Sequence, residues 1–195
     1  MTIQITDRQI EIIEAAGKIL SRSGVSGLTI KNLAKEMKFS ESAIYRHFKS
    51  KEDIIVAMLE YLAESINDLH RNTLADDAPA DERLERLFQK HFSFFSKNPH
   101  YVAVVFSDGL LEVSKKINET ILKIMEVKMK YLLPIILEGQ KSGVFTNAVA
   151  TDELLNIIMG AVRLEMFKWR MDHYQFDLQK YGNEMIQSLL ILIKK

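Results

Sequence analysis

The stretch from Ser40 to Lys51 reads Ser-Glu-Ser-Ala-Ile-Tyr-Arg-His-Phe-Lys-Ser-Lys, a run of side chains suited to hydrogen bonding rather than to covalent chemistry. Wound as a helix, it turns Ala43, Ile44 and Phe48 to one side and Glu41, Ser42, Tyr45 and Arg46 to the other. An apolar anchor thus holds a polar face outward. Arginine pairs with guanine and glutamate accepts from cytosine N4, so Glu41, Ser42 and Arg46 are candidates for reading base edges in a major groove. Enzymatic readings have no comparable basis. The chain contains no Gly-x-Ser-x-Gly elbow, phosphate-binding loop, dinucleotide fingerprint or cysteine. His47, His70, His91, His100 and His173 never stand three or four apart, so no helical metal pair is spelled out. Glu112, Glu119 and Glu126 recur every seven residues and read as a solvated helix face. The expectation is a protein that is not an enzyme and needs no cofactor or metal.

The elements that must position these residues follow from hydrophobic spacing near 3.6, which predicts an all-α chain of about nine helices. Thr6, with Gln9 placed to return the capping bond, opens a first helix whose apolar face is Ile10, Ile13, Ala16, Ile19 and Leu20; Gly24 is its predicted stop. Thr29 caps a short second helix bearing Ile30, Leu33, Ala34 and Met37, and Ser40 caps the third. Ser50 and Asp53 have capping-box spacing at the head of a longer fourth helix. Asp76 to Asp81 reads as a loop, and Asn98-Pro99 as the junction of two helices. Ser114 to Gln140 is a long helical pattern containing Pro134; Thr151 is the predicted cap of a strongly apolar helix to about Met171, and Asp177 to Ile193 forms the last.

Thr29-Ile30, Leu33-Ala34 and then Ser40 through Asp53 resemble the amino-terminal signature of the TetR family of bacterial repressors, and the first helix with Ala15, Ala16 and Gly24 extends the likeness over most of the first 55 residues. The resemblance implies an amino-terminal three-helix helix-turn-helix DNA-binding domain, residues 1–51, and a carboxy-terminal helical ligand-binding and dimerisation domain, residues 52–195. It implies that Thr29, Tyr45, His47 and Lys51 hold the phosphate backbone. Hydroxyl, phenol, imidazole and ammonium groups all bond phosphate oxygens, and such contacts set register rather than sequence. Core packing of Tyr45 and His47 is the alternative reading. Lys38 stands where the family usually has Gly and adds a cation to the DNA-facing set, with Ser40 at the helix start; Ala43 replaces a common Thr.

Beyond the head, an inventory rich in Phe and Met suits an apolar or acyl-like ligand, and ordinary core packing accounts for the same residues. The candidate pocket set is His91, Phe92, Phe95, Phe106, Met125, Met129, Asn156, Met159, Arg163 and Trp169. His91, Asn156, Arg163 and Glu165 stand among apolar neighbours on helices expected to be buried; ligand orientation and an Arg163–Glu165 pair are both open. The last two helices hold more apolar residues than one packed face needs. A homodimer interface is expected there, with Leu155, Met159, Val162, Met166, Met185, Leu189 and Leu192 as its residues.

A chain of 195 residues, 47% hydrophobic and 27% charged, can bury a large core. Its net charge is zero, yet residues 1–51 hold nine basic against five acidic side chains and the remainder is correspondingly acidic. A basic head on an acidic body suits DNA. No export signal or membrane-length apolar run is evident, so the expectation is a cytoplasmic protein with no membrane partner. Together these readings predict a homodimeric, ligand-responsive repressor on a palindromic double-stranded operator, released by a small effector of unknown identity. A ligand-free architectural DNA-binding protein and a helical protein-interaction module are the alternatives.

Overall fold

The computed structural model describes residues 5–73, 77–106 and 114–195. Nine α-helices lie among them: α1 Asp7–Gly27, α2 Ile30–Met37, α3 Glu41–Tyr45, α4 Lys51–His70, α5 Ala80–Lys97, α6 Pro99–Val105, α7 Lys115–Ser142, α8 Thr151–Met171 and α9 Leu178–Ile193. A short 3-10 turn, Arg71–Thr73, follows α4. Among the described residues the only β pairing is an isolated bridge between Phe145 and Lys194. Asp76 and Glu112 lie outside the described residues.

Local chemistry sets most of the helix starts. Thr6 Oγ1 accepts from the Gln9 N–H at 3.3 Å while the Thr6 N–H donates to Gln9 Oε1 at 3.0 Å, the reciprocal box expected from the sequence. Thr29 accepts from Asn32 N–H at 3.0 Å, Ser40 from Ala43 N–H at 3.2 Å, Ser50 from Asp53 N–H at 3.1 Å and Asp177 from Lys180 N–H at 3.0 Å. Gly24 does not end α1; it bends it, with φ of 62° and ψ of −169°, and the helix resumes to Gly27. Asn98 closes α5 by donating to the Phe94 carbonyl at 2.8 Å, and Pro99 opens α6, where a missing N–H costs nothing.

The expected cap at Thr151 is corrected. Ala150 occupies the cap position and Thr151 is the first helical residue, because its hydroxyl donates instead to Gln140 Oε1 at 2.6 Å. Gln140 in turn donates to the Thr146 and Val149 carbonyls, both at 3.0 Å, so one amide organises the whole α7 to α8 connection.

The chain forms two compact units, Met1–Glu64 with Pro99–Ile124, and Ser65–Asn98 with Met125–Lys195. In the first, α1 packs on α2 and α6, and α2 on α3. Its core is Ile12, Ile13, Ala16, Ile19 and Leu20 with Leu33, Ala34, Ile44, Phe48 and Ile54, all buried. Each Ile, Leu or Phe among them contributes about 1.5–3 kcal/mol when fully removed from water. Along α4 the two units meet between Glu64 and Ser65. In the second unit α9 packs along α5 and α8. Gly182 makes the α5 contact possible: a Cβ there would lie 2.7 Å from the buried Phe92 ring.

Candidate nucleic-acid interface and internal cavity

Helix α2 ends in a left-handed residue, Lys38, with φ of 57° and ψ of 40°, whose N–H together with that of Phe39 closes back on the Ala34 carbonyl. That tight turn delivers the chain to Ser40 and α3. Ile44 and Phe48 are buried beneath α3 and Ala43 is half-buried, as the spacing predicts. The opposite side is open: Glu41, Ser42, Tyr45, Arg46 and His47 are all exposed, Tyr45 by 50%. Tyr45 and His47 are thus surface groups, not core. His47 is steadied through its backbone, where its carbonyl accepts from the Gln9 side chain at 3.3 Å.

The head's cations divide by pairing. Arg8 is paired with Glu11 at 2.5 Å and Arg22 with Glu36 at 2.6 Å. Lys31, Lys35, Lys38, Arg46, Lys49 and Lys51 have no ion-pair partner among the described residues. Unpaired cations around an exposed polar helix are what phosphate binding needs, since each can neutralise a backbone charge without first breaking a pair. Ser40 Oγ caps α3 and lies 2.9 Å from Ser42 Oγ, so those two hydroxyls hold one another at the helix start. Directly behind, Asp53 receives Lys116 at 3.0 Å and Glu52 accepts from Ser114, fixing the α4 start to α7. The Lys116 ammonium holds the Asp53 carboxyl below its ordinary value.

The second unit holds a small cavity lined by His70, Leu87, Phe88, His91, Lys128, Leu132 and Met159, with about 10 Å³ open to the centre of a water-sized sphere. From the expected pocket set, His91 and Met159 line it. Phe92 and Phe95 are buried nearby, with the His91 and Phe95 rings 4.7 Å apart. Phe106 is buried in the other unit, and Met129 is half-buried. Trp169 is buried but its indole N–H donates to the Phe176 carbonyl at 3.0 Å, which folds the α8 to α9 turn.

Asn156, Arg163 and Met125 are exposed, not buried among apolar neighbours, because the helical register turns them off the inner stripes of α8 and α7. Glu165 is buried, and its salt bridge runs to Lys168 at 3.1 Å. The sequence reading missed His70 and Lys128. The available signal was weak: an imidazole closing an apolar helix, and one lysine a turn before the buried Leu132 on α7.

Burial drives the chemistry of this cavity. His70 is pushed down to about 4 by desolvation, and the same cause lowers His91 well below its ordinary value. Lys128 is pushed down to about 8. His70 Nδ1 and His91 Nε2 are buried without a hydrogen-bond partner. The Tyr131 hydroxyl at one edge is already engaged, donating to Asn67 Oδ1 at 2.7 Å.

The expected dimer residues divide in the same way. Leu155, Val162, Met166 and Leu189 are buried against their own chain, Met159 and Met185 are half-buried, and only Leu192 is fully open. The exposed apolar stripe lies half a turn away: Ile157, Leu164, Phe167 and Met171 on α8, with Ile191 and Leu192 on α9. Among the described residues no helix is long and apolar enough to cross a membrane.

Comparison with known proteins places the whole chain. The model of the tetR family of bacterial regulatory proteins matches residues 12–58, and that of the YsiA-like protein C-terminal region matches residues 58–192. The fatty acid metabolism regulator protein of Bacillus subtilis (strain 168) is 24% identical over 183 residues, 94% of either chain. The nucleoid occlusion factor SlmA of Aliivibrio fischeri (strain MJ11) is 30% identical over 121 residues, 62% of either chain. The crystal structure of the transcriptional regulator FadR from Bacillus subtilis in complex with stearoyl-CoA shares the fold, with a TM-score of 0.78 at 22% identity over 93% of this chain and 97% of that one. With an exposed α3 on a basic head and both family models spanning residues 12–192, the chain belongs to the tetR family of bacterial regulatory proteins and is a DNA-binding transcription regulator.

Proposed function

We propose that the chain is a homodimeric repressor that holds a palindromic operator and is released by a small effector, apolar or acyl-like. The observation that carries this reading is the outward face of α3, bearing Glu41, Ser42, Tyr45 and Arg46, joined on one chain to a helical unit with a largely apolar cavity that also presents His70, His91 and Lys128. Residues 1–51 read DNA and residues 52–195 dimerise and sense. Thr29, Lys38, Tyr45, His47 and Lys51 hold phosphates, Ser40 sets the helix start, and Glu41, Ser42 and Arg46 meet base edges. The B. subtilis relative's name and the stearoyl-CoA bound in the FadR structure support an acyl-like effector.

Dimerisation uses the exposed stripe of Ile157, Leu164, Phe167 and Met171 with Ile191 and Leu192. A two-fold pair presents two α3 helices to major-groove turns roughly 34 Å apart. Such a protein works in the cytoplasm, at the chromosome.

The test is to select binding sites from random DNA, then to challenge the complex with cellular lipid and metabolite fractions and with long-chain acyl-CoA. A strong preference for one palindrome, lost on adding one fraction, is the expected result. Affinity nearly independent of sequence and falling steeply with salt, with no fraction displacing DNA, identifies a ligand-free architectural binder instead.

A further inference from the structure

His70, on α4, and His91, on α5, are 1% and 2% exposed, and their rings lie nearly parallel with centroids 6.3 Å apart. Each has one buried ring nitrogen without a partner, and both rings line the same cavity. Lys128 of α7 lines it too, its ammonium 5.5 Å from the centre of the buried Phe95 ring. Among the described residues no hydrogen bond or ion pair reaches any of the three side chains. The charges that act on them, from Lys90, Lys128 and Arg163, are all positive.

We propose that His70, His91 and Lys128 form a binding site for a carboxylate group, either of a small acid or at the head of an apolar chain. Three features select that chemistry. A half-buried cation without a counter-ion calls for an anion. Two neutral imidazoles facing one space can each present an N–H to it by choice of tautomer, which a two-oxygen acceptor satisfies and a hydrocarbon does not. The other walls, Leu87, Phe88, Leu132 and Met159, are apolar and suit the carbon next to the carboxylate. The space admits about one water-sized group as it stands, so a carboxylate enters only as the wall gives way. Met159, half-buried and unbranched, is the wall that yields to a longer chain.

The inference rests on the effector reading above only in taking the bound carboxylate to be the effector's head. The full-length protein is titrated calorimetrically with sodium decanoate, sodium acetate, decan-1-ol and decanoyl-CoA. Decanoate binding about tenfold or more tighter than decanol is expected, since a charge-assisted bond is at stake. Lys128→Met should lose that margin and Lys128→Arg should keep most of it, with circular dichroism confirming the fold of both. If neither variant folds, ring-proton NMR of the unaltered protein decides: bound carboxylate must raise the titration midpoints of His70 and His91. Acetate binding as tightly as decanoate supports the site and assigns it to small acids. Decanol binding as well as decanoate, unaltered affinity in Lys128→Met, or unmoved histidine titrations overturn it. Gel shift on the selected operator reads the other proposal separately. A carboxylate that binds without releasing DNA sinks the release mechanism alone, whereas release by decanoyl-CoA without carboxylate binding sinks this site alone.

Discussion

Lys51 is the first residue of α4, half-buried, and has no ion-pair partner among the described residues. If it neutralises one phosphate, each copy contributes about 0.9 to the slope of log affinity against log salt. A dimer carries two copies, so Lys51→Ala should flatten that slope by roughly 1.8. Between about 50 and 200 mM salt the unaltered protein should then lose roughly tenfold more affinity than the variant. Fluorescence anisotropy on a labelled operator, repeated across salt concentrations, measures the difference directly. Because the side chain has no partner to strand, the change in folding stability should stay within about 0.5 kcal/mol. Arg46→Ala is the contrasting perturbation: it should cost about 1–3 kcal/mol and flatten base preference at one position in each half-site. A Lys51→Ala slope equal to that of the unaltered protein would refute the phosphate assignment, and a drop near 0.9 would mean that one head binds alone.

Three further outcomes follow from the geometry. Lys38 sits in the left-handed region, so Lys38→Gly should stabilise the fold by about 1 kcal/mol in thermal melts; a loss of stability would mean that the α2–α3 turn is not strained. Gly182→Ala gains up to about 1 kcal/mol of helix propensity but drives a methyl into the Phe92 ring, an overpacking cost of about 1–3 kcal/mol. Denaturant titration should show net destabilisation that Phe92→Leu relieves in a double-mutant cycle, and a more stable Gly182→Ala would contradict the close approach. His70 stays neutral in the folded chain down to about 4, whereas an unfolded histidine takes up its proton near 6.5. Between those values the unfolded state holds the extra proton, so stability must fall as pH drops from 6.5 towards 4 and level off below. His70→Asn should lose less stability over that window, and an unchanged pH profile would argue against the burial.

What was legible in the sequence was local. Thr6, Thr29, Ser40 and Asp177 cap helices through bonds spanning three residues, and the inward turn of Ile44 and Phe48 follows from helical spacing alone. So the outward face of α3 could be read from residue order, because one short helix with one apolar side has one way to sit. Helix α8 offers no such guide. Leu155, Val162 and Met166 on one stripe and Ile157, Leu164 and Met171 on the other are equally apolar, and only packing within the bundle decides which is core and which is left for a partner. The same holds for Asn156 and Arg163, which periodicity placed inside and the helical register turns out. The cavity was the least legible of all. His70, His91 and Lys128 come from three helices, 21 and 37 residues apart in sequence, and only the tertiary fold brings them to one cavity and removes the two imidazoles from water.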